Sequence, residues 1–226
     1  WRVFDDYGHH PEEISTTLRA LSGLGCRRLL VAFQPHRFTR TRDLLNKFAT
    51  CFKGADQLWL TEVYAASEAG IPGVNGALLA EAVRAQGQPV EFVASLDDLP
   101  GAVRAVMQPG DLVLFLGAGD ITRAAHELVR RLGAERAAMN ARLFQELAAR
   151  LSPATVLRQD EPLAKRTTMR VGGPADLYVE PVSEAELATV LQFFQARSLP
   201  FRMLGRGSNL LVKVGCFRGV IICVAH

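Results

Sequence analysis

Short apolar runs alternate with amphipathic segments through the first part of the chain, and this alternation constrains the fold more than any other feature. Each run is bounded by turn residues, as is typical of strands buried on both faces of a parallel sheet. The runs are Arg2–Phe4, Arg28–Phe33, Gln57–Leu60, Val90–Val93 and Leu112–Leu116. The pattern predicts an α/β fold with a Rossmann-like, mostly parallel sheet flanked by helices, spanning about 130 residues.

Local signals mark the expected helix ends. Pro11 suits the first position of a helix, and Asn75 can cap another that Gly87 follows. Ser183 and Glu186 have the spacing of a capping box. An apolar stripe beginning at Ile121 is expected to end at Gly133.

The composition and the hydrophobic pattern of the sequence change after that stripe. Residues 135–151 are rich in Ala, Leu, Glu and Arg and predict a helix, whereas residues 152–168 have an extended, loop-like pattern. Further strands are expected around a Gly-Gly-Pro turn and around the sequence GRGSN. We therefore predict a domain at residues 1–133, a helical linker at 134–154 and the beginning of a larger, partial α+β domain at 155–226.

Composition and charge exclude several classes of protein. The net charge of +3 is too small to imply nucleic-acid binding, and no apolar run has the roughly 20 residues that a membrane span needs. The four cysteines show no CxxC pairing, and no HExxH or Cys/His cluster predicts a metal site. Reduced thiols are typical of a cytoplasmic protein, which is the expected location.

Three polar turns follow predicted strands, and ligands of such sheets gather at the strands' carboxyl ends. VFDDYGHHPEE leads into a helix and is either an anion site or a capped helix with surface histidines. In FQPHRFTRTRD, Arg37 and Arg40 can hold a phosphate or carboxylate. GAGDITR contains Gly117, Gly119 and Asp120, and its glycines would let a ligand approach the backbone closely. It matches the dinucleotide-binding fingerprint poorly. Together the turns predict a phosphate-binding edge.

The later sequence LGRGSNLLV offers a fourth candidate loop. Its glycines, Ser208 and Asn209 can surround a pyrophosphate through backbone N–H groups. An ordinary hairpin-like turn between two strands is an equally good interpretation of the same residues.

Four segments in order, DDYGHHPEE, FQPHRFTRTRDL, EVYAASEAGIPGVNG and GDLVLFLGAGDI, closely resemble the C-terminal domain of UDP-N-acetylmuramate–L-alanine ligases. The resemblance covers residues 1–133 and implies a lid that closes over an ATP- and magnesium-binding domain. It implies that Asp6 meets the ATP ribose, that Tyr7 and His9 face nucleotide and substrate, and that Arg37 and Arg40 hold substrate or the transferred phosphate. The loop from Gly117 to Asp120 would line the same cleft.

EPLAKRTTMRVGGPADLYVEP and LGRGSNLLV, with FRGVII further on, resemble the N-terminal FAD-binding part of UDP-N-acetylenolpyruvoylglucosamine reductases, which use NADPH. This resemblance covers residues 139–226 and implies a ligase–reductase fusion. It places Thr168, Arg170, Gly172 and Gly173 along the flavin. The implied ligands of the FAD pyrophosphate are Gly205, Arg206, Gly207, Ser208 and Asn209.

The chain contains no GxxxxGK[ST] sequence, so we do not expect phosphoryl transfer from it alone. The implied partners are UDP-N-acetylmuramate, L-alanine, UDP-N-acetylenolpyruvoylglucosamine and the complementary ligase and reductase domains. Two other functions remain open: a stand-alone nucleotide-binding or oxidoreductase module that uses GAGD, and a non-catalytic scaffold built on the helix at residues 135–151.

Overall fold

The computed structural model describes residues 1–168, 170–205 and 217–224. The chain forms two compact units, Trp1–Leu132 and Gly133–His226.

The first unit is a parallel α/β sheet with helices on both faces, so the predicted fold class is confirmed. Its strands are β1 (Arg2–Asp6), β2 (Leu29–Phe33), β3 (Gln57–Leu60), β4 (Val90–Phe92) and β5 (Leu112–Leu116). Their order is β1-β5-β2-β3-β4, and every neighbouring pair is parallel. Its helices are α1 (Pro11–Ser22), α2 (Phe38–Asp43), α3 (Leu45–Cys51), α4 (Gly76–Ala85) and α5 (Leu99–Val106), followed by the start of α6 (Ile121–Ala148).

The two faces of this sheet have separate cores because side chains alternate along each strand. Val31 and Phe33 of β2 face a core built with α1, α3 and α4. Leu30 and Ala32 face the other core, which α5 and α6 complete. Burial on both faces explains why the strands are continuously apolar rather than alternating.

The helix starts follow the local signals. Pro11 lies at the first position of α1, and the Asn75 side chain caps α4 by accepting a hydrogen bond from the Leu78 N–H at 2.8 Å. The predicted helix end at Gly133 is wrong, because α6 continues to Ala148. A Cβ placed on Gly133 would meet nothing within 4 Å, so no packing contact breaks the helix there. A single helical glycine costs only about 1 kcal/mol relative to alanine, which the strong helix formers on both sides can outweigh.

The second unit contains a mixed sheet in the order β6-β7-β9-β8. Its elements are β6 (Val156–Pro162), a 3-10 turn (Leu163–Lys165), β7 (Pro174–Glu180), α7 (Glu184–Gln195), β8 (Phe201–Leu204) and β9 (Phe217–Cys223). The loop-like interpretation of residues 152–168 is wrong for β6, which pairs antiparallel with β7. β8 and β9 are parallel, which excludes a hairpin between these two strands. Residues 206–209 of GRGSN lie outside the described residues. Leu147 and Phe144 of α6 pack with α7 in the core of this unit.

Candidate functional site

The carboxyl ends of β1, β2, β3 and β5 meet at one edge of the first sheet. The predicted site residues of this unit follow β1, β2 and β5, while β3 leads into a loop that carries Tyr64. The backbone joins these segments directly: the Gly117 N–H donates to the Asp6 carbonyl at 3.1 Å, and the Gln34 N–H donates to the Leu116 carbonyl at 3.0 Å. The parallel topology therefore brings the predicted turns together.

The turn after β1 caps helix α1 with its own side chains. The Glu13 carboxylate accepts hydrogen bonds from the backbone N–H groups of His9 and His10, each at 3.0 Å. These donors hold the pKa of the Glu13 carboxyl below its usual value. The capped-helix alternative thus describes the backbone of this turn, because a carboxylate of the chain already occupies these two amide groups.

The side chains of the same turn border a groove with a volume of about 590 Å³. Asp6, Tyr7 and His9 line it, together with Gly8, Glu12, Glu13, Thr16 and Thr17 of the turn and α1. The Thr17 hydroxyl donates to Asp6 Oδ2 at 3.0 Å, which orients that carboxylate. Tyr7 is 69% exposed, so its ring can cover a bound molecule. Three of the predicted ligand-facing residues therefore share one groove.

Four rings form a continuous row along this edge of the sheet. Tyr7 meets His9 edge-on, His9 is tilted against His36, and His36 stacks on Tyr64, with 5.6 Å between ring centroids in each pair. An isolated β-bridge between His36 and Tyr64 aligns the last pair. The row links the ends of β1, β2 and β3.

The turn after β2 carries the arginine pair. Arg37 precedes α2, is exposed, and has a backbone φ of 73°. Arg40 Nη1 lies 3.2 Å from His36 Nδ1 and 3.4 Å from the His36 carbonyl oxygen. Burial lowers the pKa of His36, and the positive charge of Arg40 lowers it further. The site thus combines two guanidinium groups with an imidazole whose lowered pKa favours the neutral form, which can accept from Arg40.

The turn after β5 packs closely against protein. Gln34 is 5% exposed; its side-chain nitrogen donates to Asp120 Oδ1 at 2.8 Å, and its side-chain oxygen accepts from the Ile121 N–H at 3.1 Å. A Cβ on Gly119 would lie 2.4 Å from Gln34 Oε1 and 2.6 Å from Tyr64 Cγ. The space beside the Gly119 backbone is therefore filled by Gln34 and Tyr64.

Sequence reasoning assigned no role to Gln34, Tyr64 or Thr17, although each contacts a predicted site residue. Gln34 could have been found as a polar side chain immediately after a fully buried strand. Tyr64 lies within the motif EVYAASEAGIPGVNG, but nothing in its spacing indicates that it stacks on His36.

The predicted flavin residues belong to the second unit. Arg170 has a φ of 52° and Gly172 a φ of 146°. Gly172 and Gly173 accept hydrogen bonds from the N–H groups of Ala164 and Leu163, both at 3.2 Å. Thr168 is exposed, and Gly205 follows β8. Arg206, Gly207, Ser208 and Asn209 lie outside the described residues.

In the part of the chain that the structure describes, no group of three or more His, Cys, Asp or Glu side chains is arranged to hold a metal ion. Within the same residues, no helix is long and apolar enough to cross a membrane.

Comparison with known proteins identifies relatives of the first unit. Residues 1–119 match the family model described as Mur ligase, glutamate ligase domain. The chain is 53% identical over 132 residues to a UDP-N-acetylmuramate–L-alanine ligase of Trichlorobacter lovleyi, covering 58% of this chain and 29% of that protein. A ligase of the same name from Geobacter sulfurreducens is 52% identical over 132 residues, with the same coverage.

A solved structure also matches this part of the chain. The crystal structure of the UDP-N-acetylmuramate–alanine ligase from Thermotoga maritima is 29% identical, covers 59% of this chain and 27% of its own, and has a TM-score of 0.47. The chain spans less than a third of the length of the curated relatives it matches.

Proposed function

The chain belongs to the Mur ligase family through its glutamate ligase domain, and from this membership we propose that the first unit serves an ATP-dependent ligase that joins L-alanine to UDP-N-acetylmuramate. The curated relatives that share about half of their matched residues with it bear that activity in their names. Residues 1–133 would act as the lid domain of the ligase.

The observation that carries the proposal is the arrangement of Arg37 and Arg40 beside the row of rings at one edge of the sheet. Guanidinium groups suit carboxylates and phosphoryl oxygens because they offer several N–H donors in a fixed plane. A neutral His36 keeps Arg40 directed to this edge without adding a competing positive charge.

In the proposed reaction the γ-phosphoryl group of ATP moves to the substrate carboxylate, giving ADP and an acyl phosphate. The alanine amine then attacks the acyl carbon, loses a proton and expels inorganic phosphate, leaving an amide. Arg37 and Arg40 would stabilise the negative oxygens of the transferred group. Asp6 would accept from the ATP ribose, and the rings of Tyr7 and His9 would flank nucleotide and substrate. The loop from Gly117 to Asp120 would line the cleft.

The chain would not complete this reaction alone. It has no GxxxxGK[ST] loop to hold the ATP phosphates. The resemblance to these ligases also implies that the magnesium ion that accompanies ATP would be held by the separate domain over which this unit closes. We therefore infer that residues 1–226 by themselves are inactive.

The test is a ligation assay on the complete gene product that carries these residues. We expect ADP and phosphate release that requires both UDP-N-acetylmuramate and L-alanine, and no release from residues 1–226 alone. Absence of alanine-dependent release from the complete protein would contradict the proposed ligase, while release by the 226-residue chain would contradict its inactivity.

We further propose that residues 155–226 begin the FAD-binding domain of a UDP-N-acetylenolpyruvoylglucosamine reductase that uses NADPH, with residues 134–154 as the linker. The proposal is supported by the motifs around Thr168–Gly173 and Gly205–Asn209. The left-handed backbone at Arg170 and Gly172 shapes the first of these segments. Flavin bound to the purified complete protein, and its loss in the Arg170→Ala and Gly172→Ala variants, would support this proposal. A protein that contains no flavin and does not bind added FAD would rule the proposal out.

A further inference from the structure

The turn that carries Arg37 is fastened to the loop after β3 at two points. At the first, the Arg37 N–H donates to the Tyr64 carbonyl and the Tyr64 N–H donates to the Pro35 carbonyl, each at 2.8 Å. At the second, the Glu68 carboxylate accepts from the Thr39 backbone N–H at 3.1 Å and from the Thr39 hydroxyl at 2.6 Å. Arg37 takes part in the first attachment and lies two residues before Thr39, which makes the second.

The backbone of Arg37 needs such attachments. Its φ of 73° and ψ of 135° lie outside the regions that a residue with a Cβ normally occupies. A conformation of this kind persists only when the surrounding structure holds it in place. On its carbonyl side, the N–H and hydroxyl of Thr41 donate to the Arg37 oxygen at 3.1 and 2.8 Å.

Glu68 also supplies what helix α2 lacks. Arg37 stands at the N-cap of α2 but its side chain makes no capping hydrogen bond. A carboxylate near the first turn satisfies a free backbone N–H and interacts favourably with the helix dipole. Glu68 does this from a different loop, after Ala66 and Ser67, which have φ values of 47° and 70°. The loop is thus bent where it presents the carboxylate to α2.

We propose that Glu68 is a positioning residue for Arg37: it caps α2 through Thr39 and so holds the Arg37 side chain in the orientation that binds the substrate's negative oxygens. This inference rests on the proposed function, because it concerns one of the same arginines. Glu68 acts through Thr39 and Arg37 and does not itself contact substrate.

The experiment is a double-mutant cycle in the complete gene product, measured as kcat/KM with saturating ATP and L-alanine. We expect Glu68→Ala to lower kcat/KM for UDP-N-acetylmuramate by about tenfold, the scale of losing one helix cap. In the Arg37→Ala background the same substitution should cost less than about twofold, because residues that act as one unit are not additive. Glu81→Ala, which removes an exposed carboxylate from α4, is the matched control and should change neither value.

Thr39→Val supplies a second, smaller change if Glu68→Ala impairs folding. It removes one donor to Glu68 while keeping the side-chain shape, and it should lower kcat/KM in wild type but not in the Arg37→Ala background. A loss from Glu68→Ala that is equally large in both backgrounds would overturn the positioning role alone. If Arg37→Ala itself leaves kcat/KM unchanged, the proposed substrate site fails and this inference fails with it.

Discussion

Gln34 and Asp120 join the ends of β2 and β5 through a hydrogen bond of 2.8 Å between the Gln34 amide nitrogen and the Asp120 carboxylate. The same Gln34 side chain accepts from the Ile121 N–H, the first amide of α6. One buried amide therefore closes the turn that follows β5 and caps the helix beyond it.

Replacing Gln34 should destabilise the first unit. Gln34→Leu leaves Asp120 and the Ile121 N–H without this partner, and a buried polar group that loses its partner costs about 1–3 kcal/mol. Urea unfolding of the chain, followed by the fluorescence of Trp1 and the buried Trp59, which both belong to the first unit, should show the loss. Gln86→Leu, at an exposed position after α4, is the control. Equal stability of the two variants would contradict the structural role of Gln34.

Two glycine-to-alanine substitutions should have opposite effects on the stability of the fold. In Gly119→Ala the new Cβ would lie 2.4 Å from Gln34 Oε1 and 2.8 Å from Tyr64 Cβ, so neighbouring groups must shift, at a cost of about 1–3 kcal/mol. In Gly133→Ala the Cβ meets nothing within 4 Å, and the helix should gain up to about 1 kcal/mol. Thermal unfolding of both variants measures the difference. A stabilising effect of Gly119→Ala would show that the turn after β5 has room for a Cβ at this position.

His36 should titrate below the usual histidine pKa of 6.5, because burial and the charge of Arg40 both favour the neutral ring. Arg40→Gln removes that charge and should raise the pKa of His36 toward the usual value, while burial keeps it from reaching that value in full. The titration can be followed by NMR of the imidazole ring protons. Arg42→Gln is the control, since Arg42 pairs with Asp43 at 2.7 Å. No difference between the two variants would contradict the contact with Arg40.

The arginine pair should matter for catalysis in the complete gene product. Arg37→Ala or Arg40→Ala should each lower ligase kcat/KM by about 100-fold, the scale for losing one preorganised electrostatic donor. Steady-state kinetics with UDP-N-acetylmuramate as the varied substrate measures the effect, and Arg42→Ala should change it little. Changes below about threefold for both Arg37 and Arg40 would remove them from the site.

The second unit should lose stability in acid through Glu186. Its carboxylate accepts from the Thr155 hydroxyl and from the Ser152 and Val182 N–H groups, and these bonds lower its pKa to about 2 from the usual 4.5. Because the folded pKa is the lower one, this stabilisation is complete above about pH 4.5 and is lost as the pH falls toward 2. Glu186→Gln should flatten the pH dependence of the melting temperature in that range. Glu184→Gln, at an exposed position in the same helical turn, should leave it unchanged.

Periodicity and end signals predicted much of the fold because they reflect local physics. The five strands of the first unit appear close to where the apolar runs place them, Pro11 begins α1, and Asn75 caps α4. The helix end predicted at Gly133 was wrong, because a glycine ends a helix only where the chain must turn, and α6 continues through this residue. β6 was not predicted, because its charged residues interrupt the apolar pattern of a strand. Pairing with β7 stabilises it instead.

The site shows the same division. The sequence by itself determined the polar turns after the strands, the arginine pair and the family to which the motifs point, because these depend on residue type and local spacing. Only the tertiary structure decided that β5 lies between β1 and β2, that His9 meets His36, and that Gln34 and Glu68 hold their turns. These contacts join residues far apart in the chain. Their geometry depends on the packing of the whole sheet and its helices, which no short stretch of sequence encodes.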